Sequence, residues 1–161
     1  NVTISNVYAE VPAGKPDAGY EYEGPVEDLP RNISPASITG LPGQYVTNVT
    51  LKNITIVYPG GGNPNYAKVG TDAKSLNAIP EMPKAYPEFS QFKELPAWGF
   101  YIRHAKGITF DNVTLTAEKP DYRPAIVLDD VHGGDLENVT INDPGKKKNE
   151  IVVFQSTDIK K

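Results

Sequence analysis

The chain has no cysteine, which excludes disulfides and thiolate metal sites without fixing the compartment. It has no apolar run near the ~20 residues that a membrane helix needs, so no membrane partner is expected. It has no basic stripe either. Sixteen lysines and arginines stand against 20 acids, for a net charge of -4, and a nucleic-acid partner is excluded on that balance. The one basic run, Lys146 to Lys148, follows Pro144-Gly145 and reads as a solvated turn. Histidine is scarce: His104 and His132 are the only two. They stand too far apart in sequence to form a recognisable metal motif, so no metal and no cofactor is expected. No signal-peptide pattern is visible. The chain opens at Asn1 inside what reads as a strand repeat, and it is expected to be a piece of a longer protein.

What is present is a mixture that favours short strands and tight turns. The 161 residues include 15 prolines and 14 glycines, and Thr, Val, Ile and Asn recur together. One domain over residues 1–161 is the expectation, long enough to bury a core without staples.

One phrase recurs four times. GITFDNVTLTAE and VTNVTLKNITIVY are near copies, with shorter echoes in NVTISNVYAE and GGDLENVTI. Aligned on one asparagine, Asn6, Asn53, Asn112 and Asn138 fall in register. Ile4, Leu51, Phe110 and Leu136 stand two places before it; Val7, Ile54, Val113 and Val139 stand just after it. Residues two apart on a strand share a face. The change of phase at the asparagine therefore predicts a bend there, with apolar residues inward on both sides. One such unit cannot bury its apolar face, whereas stacked units can. The spacing from Asn112 to Asn138 fits one coil of a parallel β-helix, and inserted loops explain the longer spacings. The runs at 35–39, 99–103, 124–128 and 151–154 would form the second sheet of each coil. Stacked asparagines can form an amide ladder. The rival reading is N-glycosylation, because Asn1, Asn32, Asn48, Asn53, Asn112 and Asn138 each begin an N-x-[ST] triplet.

Two insertions interrupt the pattern, at about 12–31 and 59–96. The first carries Tyr20 and Tyr22 among Asp17, Glu21 and Glu23, a candidate aromatic-acidic rim. In the second, the segment 88–94 has helical spacing at Phe89, Phe92 and Leu95. It reads either as a lid on the flank or as a groove wall in which Tyr86 or Trp98 stacks on a sugar ring.

The strings YAEVPAGKPDAGYEYEGPVEDLPRNISPASITGLPG, NVTLKNITIVYPGGG, IPEMPKAYPEFSQFKELPAWGFYIRHAKGITFDNVTL and RPAIVLDDV resemble the C-terminal region of glycoside hydrolase family 28, the polygalacturonase-like proteins, in Bacteroidetes. The likeness covers nearly the whole chain. It implies an all-β fold, a short right-handed single-stranded parallel β-helix of the pectin-lyase-like type. It also implies a secreted or periplasmic protein directed at plant polysaccharide, with pectin as substrate and inverting hydrolysis as the activity. That chemistry needs a carboxylic acid and a carboxylate on opposite faces of the bond. The family places them in N-T-D and D-D motifs, followed by G-H-G and R-I-K. Asp129-Asp130 is a D-D pair, but the other three motifs are absent, so no catalytic residue is carried over. Neighbours on a strand point to opposite faces, so Asp129 and Asp130 could cooperate only at a bend; a turn cap is the plainer role. Arg103 beside His104 could take a uronate carboxylate, and Tyr20, Tyr22, Trp98 and Tyr101 complete the candidate sugar-binding set. Three functions stay open: the C-terminal coils of a hydrolase, a non-catalytic carbohydrate-binding module, and a scaffold that self-associates through an exposed β-helix end, since solenoids need caps.

Overall fold

The computed structural model describes residues 1–14, 32–66, 69–84, 92, 94–145 and 147–161. Among the described residues the fold is mostly β, with one named short helix and a large parallel sheet. In chain order the elements are β1 (Val2–Glu10), β2 (Ala36–Thr39), β3 (Val46–Gly60), α1 (Ala73–Asn77), β4 (Phe100–Lys119), β5 (Ile126–Asp135), β6 (Val139–Asn142), β7 (Ile151–Phe154) and β8 (Thr157–Lys160). The sheet runs β1-β3-β4-β5-β7; β2 and β6 also pair with β4, and β8 pairs with β5. Every strand pairing among the described residues is parallel.

At 20 residues, β4 is far longer than the usual strand of about 5–6. It stays in one sheet because it turns corners at residues with left-handed backbone: His104 (φ 50°), Gly107 (φ 66°) and Asn112 (φ 58°). The register stacks these corners into columns. His104 lies over Asp130 and Gln155; Asn48, Gly107, Gly133 and Asp158 form a second column; Asn6, Asn53 and Asn112 form the third. Each corner shifts the side-chain phase. Inward positions on β4 step by two along straight pieces (Phe100, Ile102; Ile108, Phe110; Val113, Leu115) and by three across each left-handed residue. This is the phase change expected at the repeated asparagine, and it occurs at two further columns as well.

The asparagine ladder forms. The Asn53 amide donates to Asn6 Oδ1 at 3.0 Å, and the Asn112 amide donates to Asn53 Oδ1 at 2.9 Å. The fourth copy departs from it: Asn138 is not left-handed, and its amide reaches Asp111 Oδ1 at 3.5 Å instead. It sits in the turn between β5 and β6, so no strand continues through it to set a corner.

Two apolar clusters form. The inner one gathers Leu51, Ile54, Phe100, Ile102, Phe110, Leu115, Ile126 and Leu128 with their neighbours. Each such burial is worth roughly 1.5–3 kcal/mol. The second lies on the outer face, where Tyr101 and Val127 are covered by Leu76, Ile79, Phe92, Leu95 and Ala97. Four of those five come from the second insertion and Ala97 follows it directly, so its described part is a cover on the sheet's flank. Its helix is α1, capped by Asp72, whose carboxylate accepts from the Ser75 backbone N–H at 3.1 Å. The helical turn expected at 88–94 lies almost wholly outside the described residues.

Two substitutions test the corners. Asn53→Ala removes both ladder bonds and places a Cβ residue without an amide in left-handed backbone. It is expected to destabilise by about 1–3 kcal/mol, and Asn53→Gly by less than half of that. At Gly107 an added Cβ would stand 2.7 Å from Asn48 Oδ1, so Gly107→Ala is expected to be at least as damaging as Asn53→Ala. Urea unfolding midpoints read all three, and equal losses for Asn53→Ala and Asn53→Gly would refute the conformational part.

Candidate functional site

The corner column that starts at His104 carries the chemistry. Left-handed backbone at His104 and Asp130 turns both side chains out of the strand plane at one place on the surface. His104 Nδ1 lies 2.6 Å from Asp130 Oδ2, and its Nε2 lies 3.0 Å from Glu81 Oε2. A neutral imidazole donates from one nitrogen only, so both contacts are hydrogen bonds when the ring carries two protons. The other Asp130 oxygen takes His132 Nε2 at 2.8 Å and the Tyr45 hydroxyl at 3.3 Å. His132 Nδ1 faces Thr157 Oγ1 at 3.0 Å. The Tyr45 ring meets both imidazoles edge-on, and the Lys106 ammonium sits 4.0 Å above it. Glu81 reaches the cluster from the flank cover, next to Met82 in left-handed backbone (φ 47°).

Below this layer is a buried one. Arg103 Nη2 pairs with Glu81 at 2.8 Å, and Arg103 Nη1 donates to the Ile79 carbonyl at 2.9 Å. Its Nε lies 3.1 Å from Asp129 Oδ2, an ion contact too bent to be a hydrogen bond. The Tyr101 hydroxyl donates to the same Asp129 oxygen at 3.1 Å. The Asp129 side chain is 3% exposed, against 19% for Asp130 and 32% for Glu81.

The two adjacent carboxyls are pushed in opposite directions. Burial raises Asp129 above the ordinary carboxyl range, and Arg103 and Tyr101 only partly offset it. Burial also acts upward on Asp130, but hydrogen bonds from His104, Tyr45 and His132 outweigh it and hold that carboxyl below the ordinary range. The Tyr101 phenol is driven far up, first by burial and then by the Asp129 charge.

The expected site residues separate accordingly. Arg103, His104, Asp129 and Asp130 come together. Tyr101 joins them but is fully buried, and Trp98 is 1% exposed, its ring edge-on to Tyr58 at 5.6 Å in the inner core. Neither presents a ring face to a sugar at the surface, because each fills the core on its own side of the sheet. Tyr20, Tyr22 and Tyr86 lie outside the described residues. Residues 131–134 continue β5, so Asp130 caps no turn there; it sits at the bend that pairing chemistry required, and it gathers both histidines. Tyr45, Glu81, Lys106 and His132 were not among the expected site residues. The spacing from Asn112 to Asn138 recurs between His104 and Asp130 and between Lys106 and His132, a signal that could have found two of them. Among the described residues no group of acids and histidines could hold a metal ion. Comparison with known proteins gives no match among family models, curated proteins or solved structures.

Asp130 generates a stability prediction. Its carboxyl titrates lower in the folded chain than in the unfolded one, so its contribution is present above the unfolded value, about 3.9. It is lost as pH falls from there through the folded value. Asp130→Asn is expected to lower stability at neutral pH by about 1–3 kcal/mol and to flatten the acid limb of a melting-temperature profile. A variant profile parallel to that of the wild type would show that Asp130 is not the group responsible.

Proposed function

We propose that this chain is a parallel β-helix segment of a polygalacturonase-like protein directed at plant polysaccharide, and that it meets sugar at the surface formed by Tyr45, Glu81, His104, Asp130 and His132. The fold part rests on in-register parallel strands that turn at stacked left-handed corners, the geometry that a coiled parallel sheet requires. The sugar part rests on one observation. Two imidazoles, two carboxylates and a tyrosine converge where β4 and β5 turn the same corner, all of them partly exposed except the buried His104. Carboxylates, imidazoles and phenols are the groups that exchange hydrogen bonds with sugar hydroxyls.

Binding is favoured over turnover by this chain alone, because Asp129, the first member of the D-D pair, is sealed away. Inverting hydrolysis needs two carboxyl groups about 6.5–9.5 Å apart with substrate between them, and Asp129 is held beneath the surface by Tyr101 and Arg103. The specific observation for turnover is the opposite displacement of the Asp129 and Asp130 carboxyls, a pattern that assigns acid and base roles in hydrolases. A reducing-end assay on pectin, beside calorimetric binding, decides between the two. Binding without turnover, weakened at least tenfold by Asp130→Asn, is the expected result. Turnover abolished by Asp129→Asn would establish the catalytic pair instead.

We also propose that a second copy stacks on the free edge of β1. Among the described residues β1 is bonded on one edge only, to β3, and Val2 and Ile4 are about half exposed there (50% and 47%). A long apolar strand edge is a template for pairing. The amide ladder has a direction as well: later asparagines donate to earlier ones, so Asn6 is oriented to donate to an asparagine stacked beyond it. Light scattering is expected to find a self-associating chain that Ile4→Lys turns monomeric; a wild-type monomer at high concentration would dismiss the stacking.

A further inference from the structure

We infer that the glycan this surface takes is uncharged along its contact, its carboxyls absent or esterified, and is not a free polyuronate. The inference rests on the polysaccharide reading above and narrows its substrate class.

Arg103 is the cation best shaped to grip a uronate, since a guanidinium pairs with a carboxylate through two parallel hydrogen bonds. Its ends are engaged. Nη2 holds Glu81, Nη1 holds the Ile79 carbonyl, and Nε faces Asp129. A uronate would have to displace Glu81, exchanging one carboxylate for another and gaining nothing. The displaced Glu81 would remain beside the newcomer as a like charge, an arrangement that recognition surfaces avoid.

The outer layer is no better suited to an anion. Its two carboxylates, Glu81 and Asp130, are the acceptors around which the histidines are arranged. Asp130 is held ionised by those contacts and by Tyr45. His104 is spent on both carboxylates, and His132 is shared between Asp130 and Thr157. Lys106 is exposed, but its ammonium lies over the Tyr45 ring. Each carboxylate oxygen has two lone-pair sites. Among the described residues Asp130 Oδ2 and Glu81 Oε2 each show one partner, which leaves room for a hydroxyl donor. Neighbouring ring hydroxyls supply such donors; an ionised uronate group supplies acceptors only.

The test is a calorimetric titration of the chain at neutral pH with three ligands of matched length: an oligogalacturonide, its methyl ester and a neutral galactan oligomer. The expected result is binding of the methyl ester or the neutral oligomer at least tenfold tighter than the free acid. Glu81→Gln, which removes a surface charge and loosens the hold on Arg103, is expected to shrink that ratio at least threefold. Equal or tighter binding of the free acid overturns the inference while leaving the polysaccharide reading intact. A ratio unmoved by Glu81→Gln overturns it too, since the discrimination would then arise elsewhere. Binding of none of the three, with the chain folded by circular dichroism, overturns the polysaccharide reading and this inference together.

Discussion

The structure depends on residues that accept left-handed backbone at fixed places in successive strands. For an L-residue that conformation costs roughly 1–2 kcal/mol, so it persists only where something repays it. Here the repayment is collective. A corner shifts the inward phase by one residue, and the next straight piece then directs its apolar side chains back into the same core. A corner misplaced in one strand would turn the following segment inside out and break register with the strand above it. The corners therefore stand in columns, and each column uses a different means. Asn6, Asn53 and Asn112 share an amide ladder. Gly107 and Gly133 avoid the Cβ altogether. His104 and Asp130 bond one another.

That last column links fold to site. A corner built from histidine and aspartate places ionisable side chains at a bend, on rigid strands, one above the other. The hydrogen bond that steadies the corner also sets the state of the carboxylate, since the donors around Asp130 are what hold it ionised. One residue back along the strand, Asp129 points under the flank cover instead, and burial decides its state. Two identical side chains, both directed away from the inner core by the corner, thus differ because the flank cover buries one and not the other.

The repeat was legible because it is periodic. The asparagine register, the inward residues on either side of it and the parallel stacking followed from alternation and a phase change. The other two columns were harder to read. Gly107 and Gly133 carry no side-chain pattern, and His104 and Asp130, though of residue types that tolerate left-handed backbone, stand in no repeated phrase that marks them. Their signal was the spacing they share with Asn112 and Asn138, visible only once the register is taken as a ruler. Glu81 had no signal at all. It arrives from an insertion without periodicity, positioned by Leu76 and Ile79 packing on Tyr101 and Val127. Trp98 is expected as a stacking platform because aromatic faces suit sugar rings, and Tyr101 as a member of the same sugar-binding set. Their burial reflects the competing demand that two apolar clusters place on large rings.

The flank cover therefore has a chemical consequence beyond burial. Without it, Arg103 would stand on the open face of the sheet beside Asp129, free to bridge to an external carboxylate. The cover brings Glu81 onto one end of the guanidinium and the Ile79 carbonyl onto another, and the cation becomes internal. Removing a partner from such a buried pair leaves a charge uncompensated, which is more costly than the pair is worth. Arg103 is thus held by its surroundings rather than kept in reserve. What the surface offers is the outer layer of acceptors that this neutralisation leaves exposed.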